Sequence, residues 1–225
     1  MLSNDWTTPA SFAIWSGSSG NRARLAFAIA RRITRDPLWV QIEEPTKTRE
    51  PEEAEVLAQL SPNALFVRNP SELRLRPVVG SVGSLLRRDD EATEVFLRRF
   101  GRVLELPDVV QWILESPSSS QLVRAIVVAH TELLRDGWPT SAGSMRPFLQ
   151  VARDYRVSMI FALGAPPEPS VLDAEYVLRL EDLPHERPAS VRVICDQGAP
   201  RNSAGLFVKG STHGLTELVE SLQPP

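Results

Sequence analysis

Short apolar runs without alternation punctuate the first two thirds of the chain: Phe12–Trp15, Leu38–Ile42, Ala64–Val67, Arg124–Thr131 and Val157–Leu163. Runs of this length that lack a polar face predict strands buried on both sides, as in a parallel sheet. Between them the spacing becomes helical. Leu25, Ile29 and Ile33 fall at i, i+4 and i+8, with Asn21 placed to cap the helix, Arg31, Arg32 and Arg35 near its end, and Asp36-Pro37 stopping it. A second helix is predicted over Glu53–Leu60, with Pro51 at its start and Pro62 beyond its end. Longer helical patterns cover Asp89–Leu106, interrupted by Gly101, then Pro107 to Leu114, and Pro147–Arg156, where Phe148, Val151, Ala152 and Tyr155 share a face.

The last third changes period. Val191, Val193 and Cys195 alternate with polar residues, Asp196–Pro200 forms a turn, and Gly205–Lys209 returns, which predicts antiparallel strands. Leu215, Leu218, Val219 and Leu222 mark a terminal helix over Thr212–Leu222. The expected fold is therefore α/β, a mostly parallel central sheet flanked by helices with antiparallel strands at the C-terminal end. At 225 residues one domain spanning 1–225 is expected, with 1–9 as a lead-in, the Pro-, Gly- and Arg-rich stretch 68–88 as a surface loop region, and 212–225 as a C-terminal helix and tail.

The segment Ser11–Pro45 reads as strand, Gly/Ser loop, helix and strand, an arrangement that can cradle an anion at the helix N-terminus. It resembles the start of a RecA-type P-loop ATPase core, and the Gln41-Ile42-Glu43-Glu44-Pro45 strand end is similar to the paired glutamates of the KaiC-like branch. Ser170–Leu180 is similar to the stretch of that family in which a small residue and an acid precede a V-x-x-L strand. The resemblance extends by element order from Phe12 to Lys209.

A working P-loop needs G-x-x-x-x-G-K-[ST]: amides to wrap the phosphates, a lysine for the β/γ oxygens, and a hydroxyl for Mg²⁺. From Gly17, this chain has Arg22, Ala23 and Arg24 where Gly, Lys and Ser/Thr belong. If the loop is one residue shorter, Arg22 replaces the lysine and Ala23 the hydroxyl. The family's metal-associated aspartate would stand at the end of the Arg124–Thr131 strand, where this chain has Ala129 or His130. Its basic K-x-R, which reaches a neighbouring subunit's phosphates, corresponds to Cys195 and Gln197.

The candidate catalytic residues are thus Glu43 and Glu44, which the resemblance would make activators of the attacking water, and His130, at a strand end where ligands gather in open sheets. Each also has a plainer reading, a solvated strand end for the glutamates and a polar strand terminus for the histidine. Gly17, Ser18, Ser19, Gly20, Asn21, Arg22 and Arg24 form the candidate phosphate loop. Two readings of that loop stand, a tight strand-to-helix turn and an anion-binding nest that holds ATP, phosphate or another anion weakly. No metal site is expected, since no His, Cys or acidic pair stands at ligand spacing.

Composition narrows the function further. The net charge of −3 and a pI near 5.7 provide no global field for nucleic acid. A single cysteine, Cys195, makes no internal disulfide, and no leader-like or membrane-length apolar segment stands out, so a cytoplasmic location is expected.

Without lysine, hydroxyl, carboxylate and basic pair, phosphoryl transfer loses the positioning and charge stabilisation on which it depends. The favoured expectation is a non-catalytic RecA/KaiC-like pseudo-ATPase acting as a regulatory or structural partner of its own copies or of an active paralogue. The alternatives are a divergent ATPase using Arg22, Arg24, Glu43 and Glu44, and an accessory RecA paralogue of DNA recombination or repair.

Overall fold

The computed structural model describes residues 9–43, 49–60, 64–68, 114, 123–130, 146–166, 174–198, 204–209, 215, 218 and 219, with backbone alone for 42, 43, 64–68, 146–148 and 204. Eight strands form one sheet: β1 (Ser11–Trp15), β2 (Leu38–Glu43), β3 (Ala64–Arg68), β4 (Ala125–Ala129), β5 (Ser158–Leu163), β6 (Tyr176–Leu183), β7 (Ser190–Gln197) and β8 (Ala204–Val208). Their spatial order is β3-β2-β4-β5-β1-β6-β7-β8. The first six are mutually parallel, whereas β7 is antiparallel to both β6 and β8. This is the expected α/β architecture, parallel in the core and antiparallel at the C-terminal end.

The non-alternating runs are explained by position in the sheet. β4 and β5 are buried at every residue, because they lie between other strands and both of their faces are covered. Register aligns Trp39, Val127, Ile160, Phe12 and Tyr176 in one transverse row. All five belong to the hydrophobic core, and the rings of Phe12 and Tyr176 stack at 4.8 Å. Two residues further towards the strands' carboxyl ends, the next row on the same face is Gln41, Ala129, Ala162, Ile14 and Leu178, polar at β2 and short at β4 and β5.

Helix α1 (Ser19–Ile33) contacts β4 and β5 and also α2 (Pro51–Leu60). Its buried stripe is Arg22, Leu25, Ala26 and Ile29, at helical spacing. The N-cap is Ser18, not Asn21: Ser18 is extended and its Oγ accepts from the Asn21 amide at 3.2 Å. The helix thus starts earlier than the apolar spacing implied, because Asn21 is its third residue and supplies a donor that needs a cap. Val56, Leu57 and Leu60 bury α2, and Leu149, Val151 and Ala152 bury α3 (Arg146–Tyr155).

At the antiparallel end, the alternation of β7 is realised, with Val191, Val193 and Cys195 inside. The Cys195 thiol is pushed up by burial, then by Asp196, against the Gln197 carbonyl contact, which fits a core residue and not a thiolate nucleophile. Leu215, Leu218 and Val219 join the core. Gly205 permits that packing, since a Cβ there would stand 1.9 Å from Leu218 Cδ1. The stretches 1–8, 69–113 and 131–145, and with them the predicted Asp89–Leu106 helix and most of the 68–88 region, lie outside the described residues.

Replacing Ile160, which is 0% exposed, by Ala is expected to lower unfolding stability by about 2–5 kcal/mol. Replacing Leu206, 51% exposed on β8, by Ala should change it by no more than about 0.5 kcal/mol. Urea unfolding midpoints of the two variants test this difference.

Candidate functional site

The site lies where β1, β2 and β4 end and α1 and α2 begin, the edge of an open α/β sheet at which ligands gather. Ser16 follows β1, and its Oγ accepts from the Ser18 amide at 3.2 Å, turning the chain sharply into α1. The first amides of α1 have no helical acceptor and carry the positive end of the helix dipole. They are met by a carboxylate from the chain itself. Glu50 Oε1 accepts from Ser19 N at 3.0 Å, and Glu50 Oε2 accepts from Gly20 N at 2.9 Å and from Ser18 Oγ at 2.8 Å.

Glu50 is placed there by its own element. It precedes Pro51, which disfavours helical backbone at the preceding residue, and its carbonyl accepts from Ala54 N at 3.1 Å to open α2. Its backbone thus begins one helix while its side chain caps another. Gly20 allows the contact, because a Cβ would stand 2.9 Å from both Glu50 Oε2 and Glu52 Cβ. Burial pushes the Glu50 carboxyl up, yet the bonds from Ser18, Gly20 and Ser19 hold it below the ordinary carboxylate range.

Behind this contact lies a buried polar network centred on Glu53. Its Oε2 accepts from Ser19 Oγ at 2.9 Å, and its Oε1 lies 2.5 Å from both Gln41 Nε2 and His130 Nε2. Gln41 Oε1 accepts in turn from Trp39 Nε1 at 2.8 Å. Arg22 donates to the Ser16 carbonyl, and its Nη2 is 3.5 Å from His130 Nδ1. Arginine has no acceptor, so a hydrogen bond at that contact has Nδ1 accepting and the ring proton on Nε2, facing Glu53. Burial raises the Glu53 carboxyl, but the His130, Ser19 and Gln41 contacts bring it below its ordinary value.

The residues singled out in the sequence are distributed unevenly. Ser18, Ser19 and Gly20 line the Glu50 contact. Gly17 faces open space. Asn21 Nδ2 donates to Asp182 Oδ1 on β6 at 2.7 Å. Arg22 is buried in the core stripe and directed to Ser16 and His130. Arg24 is buried as well, and its Nη1 has no hydrogen-bond partner among the described residues.

His130 follows β4 with φ 62°, a left-handed backbone uncommon outside glycine, and its amide donates to the Ala162 carbonyl at 3.2 Å. Glu43 ends β2, its backbone in register with Arg68; its side chain and all of Glu44 lie outside the described residues. Among the described residues no group of three or more His, Cys, Asp or Glu could hold a metal, and no helix is long and apolar enough to cross a membrane.

Sequence reasoning missed Glu50, Glu53, Gln41 and Trp39. One of them left a signal: Glu53 stands at i of the stripe completed by Val56, Leu57 and Leu60 at i+3, i+4 and i+7. A carboxylate in an apolar stripe must find partners inside.

No known protein family matches the chain, and no curated protein matches it. Among solved structures it is similar to the flagellar accessory protein FlaH from Methanocaldococcus jannaschii, with a TM-score of 0.46 and 10% identity over 89% of this chain and 85% of that one. A likeness at that level transfers no function.

Because Glu50 and Glu53 have lowered pKa values in the fold, their stabilisation is fully present above the unfolded value of about 4.5 and is lost as pH falls through the folded values. The urea midpoint should therefore decline below about pH 4.5. Glu50→Gln should cost about 1–2 kcal/mol at pH 7 and flatten part of that acid decline, which denaturation across pH 3–7 measures.

Proposed function

We propose that this chain is a non-catalytic RecA/KaiC-like pseudo-ATPase that acts as a regulatory or structural partner of other proteins, either its own copies or an active paralogue. The observation that carries this reading is the Glu50 carboxylate seated on the Ser19 and Gly20 amides. Those amides are the donors that a phosphate at the start of α1 would need, and like charges cannot share them. Two further features support it. The cation nearest the lysine position, Arg22, is directed to Ser16 and His130, and the end of β4 carries a histidine engaged with Glu53 instead of a carboxylate free to organise Mg²⁺.

A second reading, a divergent ATP-binding protein, is favoured by one observation: the Arg24 Nη1 group is buried without a hydrogen-bond partner among the described residues, and a bound anion would satisfy such a cation.

Incubation of the purified protein with Mg-ATP should release phosphate no faster than buffer alone, and calorimetry should detect no ATP binding at millimolar concentration. Magnesium-dependent turnover by the wild-type chain would sink the pseudo-ATPase reading. Binding that Arg24→Ala abolishes would establish the second reading in its place.

A further inference from the structure

We propose that β8 is a dimerisation edge: two copies of this chain join their sheets by antiparallel pairing of β8 with β8 about a two-fold axis centred on Leu206. The inference rests on the reading of the chain as a partner of its own copies and goes beyond it by naming the surface and the geometry of the contact.

The sheet order leaves β8 at one end, and among the described residues only β7 pairs with it. Register decides which of its backbone groups face outward. In an antiparallel pair, successive residues bond alternately towards their neighbour strand and away from it. Lys209 N donates to the Ala189 carbonyl at 2.8 Å, so position 209 bonds towards β7. Phe207 and Gly205, opposite Val191 and Val193, share that direction. The amides and carbonyls of Ala204, Leu206 and Val208 therefore point to the open edge.

That edge lacks the devices that keep end strands from pairing. Ala204–Val208 holds no charged residue and no proline, and its register with β7 is unbroken. The strand at the other end of the sheet, β3, closes on Arg68. The edge is also held in shape from within. Phe207 is buried in the core cluster with Leu218, and the missing Cβ of Gly205 lets Leu218 pack directly on the strand, so the outward groups are pre-organised for a partner. On the opposite face Leu206 is the one large hydrophobic side chain exposed among the described residues, with half-buried Val208 two positions on.

A second copy fits this edge by symmetry. Pairing β8 with itself about a two-fold axis sets Leu206 opposite Leu206 of the second copy and position 204 opposite position 208, so each outward donor meets an acceptor. The two exposed leucines then lie side by side on one face and cover each other. A partner of different sequence would need a matching open strand, whereas a second copy carries it. The contact is isologous and closes on itself, so it yields dimers and no longer assembly.

Sedimentation velocity of the full chain across a dilution series should show a species of twice 25.0 kDa giving way to the single mass. Hydrogen exchange should show the Leu206 and Val208 amides protected only in the concentrated samples, while those of Gly205 and Phe207 stay protected throughout. Leu206→Pro removes one outward donor at a position where an edge strand tolerates proline, and Leu206→Glu sets like charges opposite each other across the axis. Each should raise the dimer's Kd by roughly tenfold or more, and Leu206→Glu carries the test if Leu206→Pro does not fold. A wild type that stays monomeric at every concentration overturns the edge, as does a dimer whose Kd neither variant changes. Phosphate release from Mg-ATP counts against the pseudo-ATPase reading alone, so the two failures are distinguishable.

Discussion

Two helices begin at the same edge of the sheet, and each presents unpaired amides and a partial positive charge. In a fold of this type the concentration of donors must be met by an anion, by water or by side chains, because buried amides left unpaired are costly. Here the chain supplies the anion. Glu50 caps α1 with its carboxylate and opens α2 with its carbonyl, so one residue fixes the loop after β1 and the start of α2 in a single contact.

The interior of the site follows from that arrangement. With α2 brought against the loop, Glu53 enters the core, where an isolated carboxylate would not remain charged. Its partners are spread over α1, β2 and the end of β4, which ties those elements to α2 through hydrogen bonds as well as apolar packing. Arg22 provides the compensating positive charge across His130, and the left-handed turn at His130 aims the ring between the two. The same side chains that satisfy the interior are thereby engaged with one another. Asn21 Oδ1 and Arg24 Nη1 are the exceptions, buried without a hydrogen-bond partner among the described residues.

Much of the fold was legible in the chain because it rests on local rules. Uninterrupted apolar runs marked the doubly covered strands, alternation marked β7, and the helical stripes of α1 and α3 marked their buried faces. These patterns survive because burial is imposed residue by residue with a fixed period. The cap of α1 was misplaced by sequence because Ser18, Ser19 and Asn21 are all competent N-caps, and only the packing of the loop against Glu50 selects the first.

The sequence by itself determined the architecture and the place of the loop between β1 and α1. Tertiary structure alone decided what the loop's donors meet. Glu50 lies some thirty residues from Gly20 in the chain, and His130 lies 77 from Glu53. Such contacts have no period and no local propensity, since they depend on where the strand order places chain ends that are distant in sequence. The one trace they left was Glu53 within an apolar stripe, which shows that a partner must exist inside without saying which residue it is.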